Sequence, residues 1–168
     1  MIPTSTPASH KRRIPYTLFF TGLMAILAAG RAFAAPNTDR ACIAGDPVRL
    51  QITLTGVRNA RGQIVINLYG DRDEDFLKKG KRLSRIRVPA QAGEVTTCLP
   101  VPAPGSYAIS LYHDEDGSKK LSKNFFGLPT EGYGFSRDAP ISLRLPDLDE
   151  TVFTAMPGDT PVRITMRY

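Results

Sequence analysis

The chain predicts an all-β fold: a single antiparallel β-sandwich of seven or eight short strands following a cleaved signal peptide. Three observations carry this reading. Stretches of apolar/polar alternation recur at short spacing from residue 48 to the end, 14 prolines and 14 glycines punctuate them, and no long segment keeps a 3.6-residue apolar period.

The first 34 residues read as an export signal. Lys11, Arg12 and Arg13 form a basic start, Leu18 to Ala29 an apolar stretch, and Ala32-Phe33-Ala34 a small-x-small cleavage pattern, placing the cut before Ala35. The apolar run is short for a membrane span, which needs roughly 20 such residues. A lipoprotein is not expected, because Cys42 lies too far downstream. The whole chain carries +6, but the signal holds four basic and no acidic side chains, leaving 18 Lys+Arg against 16 Asp+Glu. A net +2 gives no general basic surface, so nucleic acid is not an expected partner.

Residues 35–47 form a lead-in and residues 48–168 the single domain. Val48, Leu50, Ile52 and Leu54 alternate with Arg49, Gln51, Thr53 and Thr55, as in a strand with one buried face. After the turn Asn59-Ala60-Arg61-Gly62, Ile64, Ile66 and Leu68 share a face, and the pattern reads as a hairpin. Ser84–Val88, Glu94–Leu99 and Gly105–His113 continue the series. Ile141, Leu143 and Leu145 alternate again, and Val162, Ile164, Met166 and Tyr168 point inward at the end. Asp71 to Arg82 is the exception, a helical turn that docks Phe76 and Leu77. Such a series suits an immunoglobulin- or transthyretin-like sandwich. Cys42 and Cys98, an even pair without CxxC spacing in an exported chain, are expected to join the lead-in to the fourth strand. Two free thiols are the alternative.

The chemistry concentrates between residues 107 and 136. Asp114, Asp116 and Ser118 occupy positions 1, 3 and 5 of a turn, a spacing at which side-chain oxygens converge on a hard cation such as calcium. Lys119, Lys120 and Lys123 offset that charge, and a plain Asp/Gly/Ser turn explains the same residues. His113, the sole histidine of the mature chain, is either a base backed by Asp114 or a rim residue bonded to a loop carbonyl. The glycine-rich run from Phe125 to Ser136 offers Tyr133 and Phe135 as stacking faces with Glu131 as an acceptor, or folds its aromatics onto its own sandwich. Lys78, Lys79, Lys81, Arg82, Arg85 and Arg87 form a basic cluster that suits anionic lipid or polysaccharide, or simply protects a sheet edge.

One histidine and two paired cysteines cannot supply the usual zinc site, and neither G-x-S-x-G nor a phosphate-cradling G-x-x-x-x-G-K is present. The chain is therefore expected not to be an enzyme.

At Tyr107-Ala108, His113-Asp114-Glu115-Asp116-Gly117, Lys120-Leu121 and Phe126-Gly127-Leu128-Pro129-x-Glu131-x-x-Gly134-Phe135-Ser136, the chain resembles a family of exported bacterial proteins, that of domain of unknown function 2141. The resemblance runs from about Val48 to Tyr168 and implies a small signal-bearing β-sandwich. It rests on the pattern G-x-Y-A-x-x-x-x-H-D-x-N-x-N-G-K-L-D, followed by F-G-x-P-x-E and G-F-S. Against it, Asp116 and Ser118 stand where Asn is usual, Lys119 where Gly is, and Ser122 where Asp is. The family's activity is unassigned.

Together these readings predict a periplasmic or secreted, monomeric, non-catalytic envelope module. It binds a carbohydrate or an envelope protein through its 113–136 loops at His113, Glu131, Tyr133 and Phe135, with a structural calcium at Asp114, Asp116 and Ser118. The alternatives are a small hydrolase or isomerase using His113 with Asp114 or Glu131, and a purely structural accessory domain.

Overall fold

The computed structural model describes residues 41–122, 124, 125, 129–141 and 144–168. The signal-peptide reading of residues 1–34 lies outside the described residues. Eight strands are present: β1 (Val48–Val57), β2 (Gln63–Tyr69), β3 (Ser84–Pro89), β4 (Gly93–Val101), β5 (Gly105–Asp114), β6 (Tyr133–Phe135), β7 (Phe153–Ala155) and β8 (Gly158–Thr165). They form two sheets. One has the order β4-β1-β8. The other has the order β3-β2-β5-β6, with β7 also paired to β5. Pairing among the described residues is antiparallel except between β1 and β8, which run parallel with Ile52 beside Val162 and Leu54 beside Ile164.

The alternation in β1 has the expected consequence. Val48, Leu50, Ile52 and Leu54 are buried, and the residues between them face outward. They meet Ile64, Ile66, Leu68, Ile109 and Leu111 from the other sheet in the main core. Burial at roughly 25 cal/mol per Å² of apolar surface is what holds the two layers together.

β1 and β2 do not form the expected hairpin, because they belong to different sheets. The turn at 58–62 is an arch across the sandwich, and the two apolar rows face each other through the core instead of lying side by side. Alternation shows which face is apolar, but not which strand is the neighbour. Gly62 makes the arch possible: its φ is +66°, and a Cβ there would overlap the Asp114 carbonyl oxygen.

The five-stranded sheet is covered on its outer face too. Every residue of β2 from Ile64 to Tyr69, and of β5 from Tyr107 to Asp114, is buried. A second apolar cluster of Tyr69, Phe76, Ala108, Phe135, Ala139 and Leu148 lies there. Phe76 and Leu77 dock as expected, but their segment forms turns and is not assigned a helix. Ser136 pins the other covering segment, its hydroxyl donating to the Thr151 carbonyl (2.6 Å) and accepting from the Ile109 N–H (2.9 Å). A single helical turn, α1 (Leu148–Thr151), is closed by a capping box between Asp147 and Glu150. Of the expected 141–145 strand, Ile141, Arg144 and Leu145 lie in no strand, while Ser142 and Leu143 fall outside the described residues. The disulfide Cys42–Cys98 is formed, with 5.5 Å between Cα atoms, and it ties the lead-in to β4 as expected.

Candidate functional site

One end of the sandwich gathers the polar residues that the sequence singled out. The end of β5, the arch at 58–62, the turn at 115–122, the approach to β6 and the C-terminal residue all meet there. Pairing of Ser110–Tyr112 with β6 brings Glu131 and Gly132 back beside the end of β5, and the His113 N–H donates to the Gly132 carbonyl at 2.8 Å.

Two polar networks result. The first is centred on His113, which is 0% exposed. Its Nε2 faces the Arg61 carbonyl oxygen at 2.6 Å and so carries the ring hydrogen. Its Nδ1 lies 2.8 Å from the Tyr168 hydroxyl, which accepts the Arg58 N–H at 3.1 Å and has its own hydrogen for the ring. The Arg58 guanidinium stacks 4.4 Å from the Tyr168 ring centre and pairs with Glu115 at 2.7 Å, while the Asn59 amide donates to the other Glu115 oxygen at 3.1 Å. Burial works to raise the Glu115 carboxyl, but the hydrogen bonds from Asn59 and Arg58 outweigh it and hold it below the usual range. Both ring nitrogens of His113 are thus engaged by the protein. That is the rim-histidine geometry, and it supplies no open base.

The second network is acidic. Asp114, Asp116 and Glu131 each bring a carboxylate oxygen within 4.8 Å of the others. Asp114 is 0% and Glu131 5% exposed. Their donors are neutral. The Gln63 amide (3.0 Å) and the Lys119 N–H (3.2 Å) reach Asp114. The Glu115 and Ser122 N–H groups reach Glu131 at 3.0 and 2.9 Å. The Ser118 N–H (2.8 Å) and the Ser122 hydroxyl (3.3 Å) reach Asp116, and the backbone bond from Ser118 is the main cause of its lowered carboxyl. Among the described residues no lysine or arginine pairs with these three carboxylates.

The oxygen set differs from the one read off the turn. Ser118 turns its hydroxyl to the Lys120 carbonyl at 3.0 Å, and Glu131 joins Asp114 and Asp116 in its place. Lys119 has φ +64°, in the left-handed region that favours glycine. The aromatics differ as well. Phe135 is 5% exposed and belongs to the second core cluster, with Tyr133 half-buried against it, so neither ring stands open as a stacking face. Among the described residues of this loop, Phe125 is the exposed ring, at 98%. Contributors that escaped sequence reading include Arg58, Gln63 and the hydroxyl of Tyr168. A groove of about 640 Å³ beside Phe76, Leu77 and Leu148 lies on the second apolar cluster and holds none of these groups.

Among the described residues no helix is long and apolar enough to cross a membrane. No curated protein and no solved structure matches the chain. The family model described as "Uncharacterized protein conserved in bacteria (DUF2141)" matches residues 52–163, and the chain belongs to that family.

Proposed function

We propose that this chain is an exported, monomeric, non-catalytic β-sandwich module of the bacterial cell envelope that engages a carbohydrate or protein partner through its 113–136 loops, with a calcium ion ordering them. The observation that carries the reading is the Asp114–Asp116–Glu131 cluster, in which two buried carboxylates and one exposed one converge, with only neutral donors to them among the described residues. Like charges this close repel one another, and a divalent cation between them offsets that repulsion. Three carboxylates offer up to six oxygens, the coordination range of calcium, whose irregular geometry suits a loop of this kind. Phe125, exposed in the same 113–136 stretch, supplies an apolar contact for a partner. The engagement of both His113 nitrogens supports the non-catalytic reading, and the Cys42–Cys98 bridge supports an oxidising compartment.

The test is a thermal scan of the oxidised protein in chelator and then in millimolar calcium, together with fractionation of cells expressing the full chain. Calcium at 100 times its dissociation constant adds about 2.7 kcal/mol, a rise of several degrees for a domain of this size. Glu131→Gln with Asp116→Asn should remove the rise. An unchanged midpoint would overturn the cation, and recovery of the chain from the cytosol would overturn export.

A further inference from the structure

We propose that the groove lined by residues 73–78 and 145–149, over the second apolar cluster, is a docking site for a short segment of a protein partner that carries apolar side chains flanked by lysine or arginine. The groove shares no residue with the 113–136 loops and does not rest on the function proposed above.

Its floor is apolar because the sheet beneath is buried on both faces. Phe76 and Leu148 belong to the cluster that covers the outer face of β2 and β5. Two short covering segments leave a seam, and Leu77, Leu145 and Pro146 line it together with Phe76 and Leu148, around a volume of about 640 Å³. Ligand sites usually span roughly 300–1,000 Å³, so the space suits a few side chains. Leu145 is 47% exposed, which leaves apolar surface in water beside a buried floor. Covering that surface is the attractive contribution a partner would bring. Leu77 holds φ +57°, a conformation that strains every residue but glycine, so an apolar side chain stands at this position despite a backbone cost.

The other described lining residues are Asp73, Lys78, Asp147 and Asp149, three acids to one base. Asp147 and Asp149 share a turn with Glu150, and the three carboxylates come within 4.8 Å of one another. Arg144 answers part of that charge, meeting Glu150 at 2.6 Å and Asp147 at 3.3 Å. Asp73 and Asp149 are both exposed, and neither has an ion-pair partner among the described residues. The groove therefore combines an apolar floor with unbalanced negative charge. A neutral apolar ligand would leave that charge unmatched, and an acidic one would be repelled. Lysine or arginine on either side of apolar residues matches both features.

The experiment uses the full oxidised chain and fluorescence anisotropy with a labelled peptide in which a pair of leucines lies between pairs of lysines. One comparison peptide carries glutamate for lysine, and another serine for leucine. The lysine–leucine peptide should bind, less tightly as salt rises, and the two comparison peptides should bind about tenfold more weakly or not at all. Asp73→Asn with Asp149→Asn, both exposed, should weaken binding about fivefold. Leu145→Ser should weaken it about tenfold and leave the melting temperature near that of the parent. The proposal is overturned if the lysine–leucine peptide does not bind, if the glutamate peptide binds equally well, or if binding survives both sets of substitutions. Sedimentation of the free chain should show a monomer. A dimer that Leu145→Ser dissolves would give the groove to a second copy and overturn the proposal as well.

Discussion

The two sheets of this sandwich bury their residues differently. In β4-β1-β8 one face is core, and the other carries Arg49, Gln51 and Asp159 in a surface cluster with bonds of 2.6 and 3.1 Å to the aspartate. In β3-β2-β5-β6 the inner face is core, and the segments around Phe76 and Leu148 cover the outer face. Polar groups on the first sheet remain hydrated at little cost. On the second, Asn67, His113, Asp114 and Tyr112 are enclosed, and each needs a partner to offset its desolvation. His113 has its partners within the protein. The acidic cluster has only neutral donors among the described residues, and the Tyr112 hydroxyl has no hydrogen-bond partner. The candidate site therefore falls on the sheet with two buried faces, where enclosed polar groups are most costly.

Substitutions on the two outer faces should break apart in size. Phe135→Ala, on the covered face, should cost about 3–5 kcal/mol by denaturant unfolding, as other buried aromatic truncations do. Reducing Cys42–Cys98, which staples the lead-in to the exposed-face sheet, should cost about 2–4 kcal/mol in the same assay. Tyr168→Phe removes the hydroxyl that joins His113 to the Arg58 backbone, and should lower stability by about 1–2 kcal/mol. Gln51→Ala, on the open face, should stay within about 0.5 kcal/mol. If Phe135→Ala and Gln51→Ala cost the same, the covered face is not a second core.

Acid unfolding sharpens the comparison further. The Glu115 carboxyl is held below its ordinary value of 4.5 by Asn59 and Arg58. A depressed carboxyl contributes stability that is fully present above about pH 4.5 and is lost as pH falls through its lowered folded value. Glu115→Gln should flatten the stability profile over that acidic window and leave the slope near neutrality unchanged, as read by urea midpoints at each pH.

How much of this was legible follows from what each element depends on. β1 and β8 announce themselves because one face of each is wet, so their apolar residues alternate. In β2 the row Ile64, Ile66, Leu68 was visible, but Val65 and Asn67 are buried as well, which alternation does not announce. β6 and β7 have three residues each and exist through their partner β5, so local composition could not reveal them. Asp114 and Asp116 were readable from spacing. Glu131 enters the cluster because the β5–β6 pairing folds it back, and Ser118 leaves it because its hydroxyl has a nearer carbonyl. The contact of Tyr168 with His113 likewise needs β8 in place. Asn67 was the one overlooked local signal, an amide within an apolar run.

The most direct measurement on the central claim is a calcium titration by calorimetry of the oxidised protein beside Glu131→Gln and Ser118→Ala. The acidic network requires one calcium per chain in the parent, binding lost in Glu131→Gln, and binding largely kept in Ser118→Ala, whose hydroxyl faces Lys120. Absence of binding in the parent, or equal binding in Glu131→Gln, would contradict it and leave the three carboxylates a hydrogen-bonded turn.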